Sequence, residues 1–264
     1  MLITDSPGGG NSPENGTWVA RNGLATMYRI VTDFHGGWEP LQKNIFAAGN
    51  FTMAKAGNLF GLNGTFADLD MLPMSASWWA GGIGSEKYDL GQTIASLYMM
   101  TKAPLMHAGR LPVDPITLSF LTNKHALALH DKGTAVVVDG YEGNCTCVLD
   151  HHHYNPTLIV PGTCTIPAGA EGAPCVVTWS AEIPGGLDVP YQFRMVINMG
   201  GNATDVKVEA GAVDVWTGEN LTMSEALRPY GTYTSKLHHS VIIGMRLTRR
   251  YIGCGCSDVA LWPA

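Results

Sequence analysis

The sequence changes texture near residue 131, and that change constrains the fold more than any other feature. Before it, short apolar runs alternate with helix-like segments, the rhythm of parallel strands joined by crossover helices. The expected strands cover 2–4, 27–31, 67–71 and 105–108. After the second, the stretch 38–56 sets Leu41, Ile45 and Ala48 on one helical face. After the third, Ser85 can cap a helix carrying Tyr88, Ile94, Leu97 and Tyr98. After the fourth, Asp114 and Pro115 form an N-cap with proline at the first helical position, and Ile116, Phe120 and Leu121 follow. Four βα units therefore precede the change.

Beyond residue 131 short β-branched runs take over, separated by Gly, Pro and Asn: 135–138, 157–160, 175–180, 193–198, 206–209, 213–216 and 240–247. That spacing argues for an antiparallel sandwich or barrel. A chain of 264 residues, 45% hydrophobic and only 14% charged, exceeds the usual size of one compact core. Two domains are expected, an α/β region over 1–131 and an antiparallel all-β region over 132–264.

The formal charge of -6 leaves no electrostatic footprint for nucleic acid or an anionic membrane surface, since either would need clustered Lys and Arg. No run of eighteen apolar residues occurs that would span a bilayer as a helix. Six cysteines, Cys145, Cys147, Cys164, Cys175, Cys254 and Cys256, all lie in the second half. Their C-x-C spacing is not that of zinc or thioredoxin sites, and the even number suits disulfides, with fifteen pairings open. Six N-glycosylation sequons, at Asn15, Asn50, Asn63, Asn144, Asn202 and Asn220, point the same way. The expected location is secreted, extracellular or lysosome- or vacuole-like. MLITDSPGGG lacks the basic start and apolar core of a signal peptide, so Met1 is expected not to be the natural beginning.

Three segments of the first half carry a resemblance. YRIVTDF (28–34) places an arginine four residues before an aspartate, FADLDML (66–72) holds a D-x-D-M-L element, and KAPLMHAGRLP leads into LSFLTNKHALALH. In order and spacing these resemble the sixth, seventh and eighth strands of glycoside hydrolase family 27, the α-galactosidases and α-N-acetylgalactosaminidases. LITDSPGGG is similar to the fifth strand, and DVWTGENL with LHHSVIIGMRL to the family's C-terminal β domain. The resemblance implies the last four βα units of a (β/α)8 TIM barrel followed by an antiparallel β-sandwich.

It also implies roles. Retaining glycosidases use two carboxyl groups about 5 to 5.5 Å apart, and barrel strands converge at their C-terminal mouth. Asp33 corresponds to the acid/base, Arg29 and Asp70 to sugar ligands, and Asp5 to an acidic ligand found in some relatives. Read without the resemblance, Asp33 is a helix-start aspartate and Arg29 an ion-pair partner of Asp68 or Asp70. The nucleophile's strand has no counterpart here, so an N-terminal barrel half, on a missing segment or a separate chain, is the expected partner. Phe66, Ala67, Leu69 and Arg110 depart from the family pattern.

Hydrolysis of terminal α-galactosides needs no metal or cofactor, and none is expected. The second reading is a noncatalytic structural or carbohydrate-binding glycoprotein on the same scaffold. The third, an independent β-sandwich binding module, leaves the ordered motifs of the first half unexplained. Trp38, Trp78 and Trp79 could stack on a sugar or pack in loops. His151, His152 and His153 read as a solvated loop, because adjacent loop residues point in different directions. Galactose, N-acetylgalactosamine and β-L-arabinopyranose are not separated by this sequence, and the oligomeric state, a homo-oligomer included, stays open.

Overall fold

Three short parallel strands lie side by side: β1 (Thr4–Asp5), β2 (Met27–Arg29) and β3 (Phe66–Asp68), in the order β1-β2-β3. The computed structural model describes residues 4–5, 13–31, 33–34, 40–41, 44–45, 47–49, 64–75, 86–133, 137–143, 146–147, 164–165, 175–183, 191–198, 204–207, 212–220, 224–227 and 241–247. In the register Asp5 stands opposite Tyr28, and Arg29 opposite Asp68, so the three strands end almost level. Beyond β3 the parallel pairing continues as one bridge, Leu72 to His107, with Leu72 N donating to Met106 O and Ala108 N to Leu72 O. The expected strands at 27–31 and 67–71 thus fall on observed ones, and the expected fourth is reduced to a bridge.

Helix α1 (Pro13–Asn22) links β1 to β2. Its end is a Schellman turn: Leu24 N bonds Val19 O, Gly23 N bonds Ala20 O, and Gly23 takes φ of 60°, where a side chain would strain the backbone. Helical residues at 40–41, 44–45 and 47–49 bury Leu41, Ile45 and Ala48, the three placed on one face from the sequence. Helix α2 (Glu86–Thr101) has no solvent-facing stripe over its last turns, for every residue from Thr93 to Thr101 is buried. A helix buried all round must be covered on all sides. The polar side chains pay their own way locally: Ser96 Oγ donates to Gln92 O and Thr101 Oγ1 to Leu97 O.

Asp114 caps α3 (Pro115–Leu121) by accepting from the N–H groups of Ile116 and Thr117, with Pro115 in the first turn. A second cap follows. Asn123 accepts from His125 N and Ala126 N and starts α4 (Lys124–Lys132), a second helix beyond the one expected after Pro115.

The later residues build a five-stranded antiparallel sheet in the order β10-β12-β8-β7-β4, from β4 (Val137–Gly143), β7 (Cys175–Ile183), β8 (Tyr191–Asn198), β10 (Val213–Asp214) and β12 (Val241–Leu247). Two small antiparallel pairs accompany it, β5 (Thr146–Cys147) with β6 (Cys164–Thr165) and β9 (Thr204–Lys207) with β11 (Ser224–Leu227). One face of β7 and β8 carries Val177, Trp179, Ala181, Ile183, Phe193, Met195 and Ile197 into the core. The alternate positions Val176, Thr178, Val196 and Asn198 are buried too, so this end of the β7–β8 pair is covered on both faces, while Glu182 and Gln192 at the other end are exposed. α2 touches β8 and β12 while α4 touches β7, and a single apolar cluster runs from Tyr28 and Leu69 through α2 to Trp179.

The expected strand at 213–216 stops after Asp214, whose carboxylate accepts from Trp216 N and Thr217 N and turns the chain. That turn docks on the helices. Trp216 Nε1 donates to Ser96 Oγ at 3.0 Å, its ring lies 4.8 Å from that of Phe120, and Asn123 Nδ2 donates to Val215 O. The run 157–160 lies outside the described residues. Among the described residues no helix is long and apolar enough to cross a membrane.

Candidate active site

The level ends of the parallel strands put Arg29 beside Asp68, and the segments that leave those strands bring Asp33 and Asp70 to the same guanidinium. Arg29 Nε donates to Asp68 Oδ2 at 2.9 Å and Nη2 to Asp70 Oδ1 at 2.9 Å, while Nη1 lies 3.6 Å from Asp33 Oδ1. One cation faces three carboxylates. Burial pulls the Arg29 pKa down, but the charges of Asp68 and Asp70 and their hydrogen bonds outweigh it, so its proton is held more tightly than usual.

The three carboxylates differ in what else they can do. Asp68 and Asp70 are each 8% exposed, whereas the Asp33 side chain is 80% exposed. Both oxygens of Asp70 are engaged, Oδ1 by Arg29 and Oδ2 by the Phe34 N–H. Asp68 accepts from Arg29 on Oδ2 and from Asp70 N on Oδ1. Only Asp33 presents its carboxylate to solvent, and so only Asp33 of the three is free to meet a reacting group without first breaking a buried contact. Asp5 ends β1 opposite Tyr28, one register step before Arg29, and so lies at the same C-terminal end of the strands.

Asp70 has φ of 77°, a left-handed conformation that costs a non-glycine residue about 1 to 3 kcal/mol. The bend turns its carboxylate back towards β2. On the far side the Tyr98 hydroxyl, from α2, bonds Leu69 O and lies 2.9 Å from Asp70 O, while Asn44 Nδ2 donates to Leu69 O at 3.2 Å. Tyr98 and Asn44 were not singled out for this role from the sequence. Their signal was a polar atom on a helical face that otherwise carries apolar residues into the core.

His107, at the bridge beside Leu72, accepts from Gly109 N on Nδ1. Gly109 has no room for a Cβ, which would fall 1.8 Å from Met74 O. Among the described residues no group of three His, Cys, Asp or Glu could hold a metal ion. Trp38, Trp78 and Trp79, the histidines at 151–153 and 238–239, the sequons at Asn50, Asn63, Asn144 and Asn202, and Cys145, Cys254 and Cys256 lie outside the described residues. Asn15 and Asn220 are exposed, as acceptor sites need to be. Cys147 and Cys164 are register partners across β5 and β6, and Cys175 opens β7.

No family model matches the sequence, and no curated protein matches it. Among solved structures the chain is similar to an α-galactosidase from Saccharomyces cerevisiae with raffinose, at 11% identity and a TM-score of 0.49. The match covers 86% of this chain and 60% of that one, so the chain spans less than two thirds of the structure it matches.

Proposed function

We propose that the chain forms the C-terminal part of a retaining α-galactosidase-type glycoside hydrolase that acts on terminal α-galactosides. The observation that carries this reading is the gathering of Asp33, Asp68 and Asp70 on Arg29 at the C-terminal ends of adjacent parallel strands. The R-x-x-x-D and D-x-D-M-L elements that make the cluster are those that resemble glycoside hydrolase family 27. On this reading the strands 4–5, 27–29 and 66–68 and the bridge at 107 belong to a (β/α)8 barrel, the sheet beyond 137 to a β-sandwich, and the protein to the secretory pathway.

Asp33 is the acid/base. It gives its proton to the leaving oxygen as the anomeric bond breaks, and then takes a proton from the water that releases the sugar. The attacking carboxylate comes from a strand outside this sequence, on an upstream segment or a separate chain, and enters the cleft beside Asp33. Arg29 and Asp70 are the sugar ligands that the resemblance implies, and Asp70 takes that role by exchanging its Arg29 or Phe34 contact for a sugar hydroxyl, with Asp5 at the same mouth. The chemistry needs no metal or cofactor.

The test uses the protein completed by the nucleophile strand. Asp33→Ala is expected to lower kcat on galactosides with poor leaving groups by about 10² to 10⁴-fold. Activated aryl galactosides need little protonation and are expected to keep their glycosylation step. Equal losses on both substrate types would rule out an acid/base role.

A second reading has its own observation. Both oxygens of Asp70 are occupied by protein donors, and Arg29 is bound by two buried carboxylates. That is what a structural clamp in a noncatalytic, carbohydrate-binding or structural glycoprotein would show. Galactose binding without hydrolysis by the completed wild-type protein would select this reading.

A further inference from the structure

We infer that Tyr98 is a positioning residue for Asp33, acting through the left-handed turn at Asp70; the inference rests on Asp33 being the acid/base. Successive carbonyls of a strand point in opposite directions, so one hydroxyl cannot ordinarily meet two in a row. Here Leu69 O and Asp70 O both converge on the Tyr98 hydroxyl. They do so because the chain leaves the strand direction at Asp70, where φ is 77°. The hydroxyl therefore recognises the bent form of the backbone and not the extended one.

The bend has a defined target. It aims Asp70 Oδ1 at Arg29 Nη2 and Asp70 Oδ2 at the N–H of Phe34. That N–H belongs to the peptide group joining Asp33 to Phe34, and the same guanidinium lies 3.6 Å from the Asp33 carboxylate. Tyr98 thus reaches Asp33 by two routes, one through the peptide that follows it and one through Arg29. Tyr98 is fully buried, and desolvation together with the nearby charges of Asp70 and Asp68 raises its pKa well above the ordinary tyrosine value. Its hydroxyl therefore keeps its proton, and remains a donor, past the pH at which an exposed tyrosine ionises. A left-handed non-glycine residue persists only where its surroundings over-determine it, and the single Tyr98 O–H lies within hydrogen-bond distance of both carbonyls, which share its proton.

The experiment compares wild type and Tyr98→Phe, which keeps the ring and removes the hydroxyl, in the protein completed by the nucleophile strand. The first readout is kcat on a poor and on an activated galactoside leaving group. A misplaced acid/base lowers kcat about ten- to a hundredfold on the poor leaving group, far less on the activated one, with KM little changed. The second readout needs no substrate: hydrogen exchange of the Arg29 Nε–H, followed by nuclear magnetic resonance with nitrogen-labelled arginine. Loosening of the clamp speeds that exchange in Tyr98→Phe while core amides of the antiparallel sheet stay protected. Losses that are equal for both substrates, or an Arg29 exchange rate that does not change, overturn the inference. If wild type hydrolyses no galactoside, the enzymatic reading falls, and the Arg29 exchange rate alone decides whether Tyr98 holds the clamp. If Tyr98→Phe does not fold, Asn44→Ala removes only the second donor to Leu69 O, and the same pattern at smaller size is expected.

Discussion

The parallel strands are two or three residues long and end in charge, whereas β7 and β8 run for nine and eight residues with one apolar face in the core. The two regions are stabilised by different means. The antiparallel sheet is held by an unbroken backbone ladder, from Val176 opposite Asn198 to Ile183 opposite Tyr191, and by the apolar side chains that one face packs into the core. The parallel strand ends are held by side chains that bond backbone and each other: Arg29, Asp68, Asp70, Asn44 and Tyr98. Such an arrangement fixes a few atoms tightly at the cost of buried charge, which suits a site. A ladder spreads its energy over many residues, which suits a scaffold.

The largest effect that separates the regions is expected at Arg29. Arg29→Met keeps the length of the side chain but leaves Asp68 and Asp70 buried without their cation, and should cost about 3 to 5 kcal/mol in urea unfolding together with any hydrolytic activity. Trp179→Ala, in the middle of β7, should cost a similar amount, about 3 to 5 kcal/mol, by opening a cavity. The folded fraction of that variant should retain its turnover per molecule. If Trp179→Ala impaired turnover per folded molecule as Arg29→Met does, the division between site and scaffold would fail.

A smaller effect is expected at Asp114, where Ala removes the acceptor for two helix N–H groups and should lower stability by about 0.5 to 2 kcal/mol in the same assay. The smallest is a contrast in pH dependence between two aspartates that make similar turns. Burial pushes Asp114 up, but hydrogen bonds from Thr117 and Ile116 outweigh it and leave its pKa below the ordinary 3.8. Its contribution is present above that value and is lost as pH falls through the folded pKa. At Asp214 burial prevails over the bonds from Thr217 and Trp216, and the nearby Glu219 adds to it, so its pKa is raised. The folded state then holds the proton more tightly, and stability is gained as pH falls through the raised pKa towards 3.8. Melting curves between pH 7 and pH 4 should show wild type gaining on Asp214→Asn as the pH is lowered, while Asp114→Asn closes its gap to wild type only at still lower pH.

Local signals were legible in the sequence because their partners lie close by. Asp114 followed by Pro115 marks a helix start within four residues, and the spacing of Leu41, Ile45 and Ala48 marks a buried face within two turns. The strand near Met27 and the antiparallel texture after residue 131 were legible for the same reason. Asn123 was overlooked because it sits inside an apolar periodic run that reads through it. The pairing of Arg29 with Asp68 or Asp70 could be named as an alternative from charge alone, but not that one guanidinium takes both. Nor could the left-handed turn at Asp70, or the hydroxyl of Tyr98 that meets it from 28 residues along the chain, be read from any local pattern. Closure of parallel strands into a barrel is a long-range property that no local pattern of residues carries.

The burial of the last turns of α2 on all sides has a consequence for how the chain can be cut. Tyr98 of this helix bonds the strand-end turn on one side, while Ser96 receives the Trp216 indole on the other. A truncation after residue 133 would strip away β7, β8 and the Trp216 turn, and leave the back of α2 wet and apolar. A fragment starting after it would expose the inner faces of β7 and β8. Both cuts expose apolar surface that the other region covers, so the two regions should melt in one cooperative transition, and a gene split at the change of texture should yield aggregates and not two soluble halves.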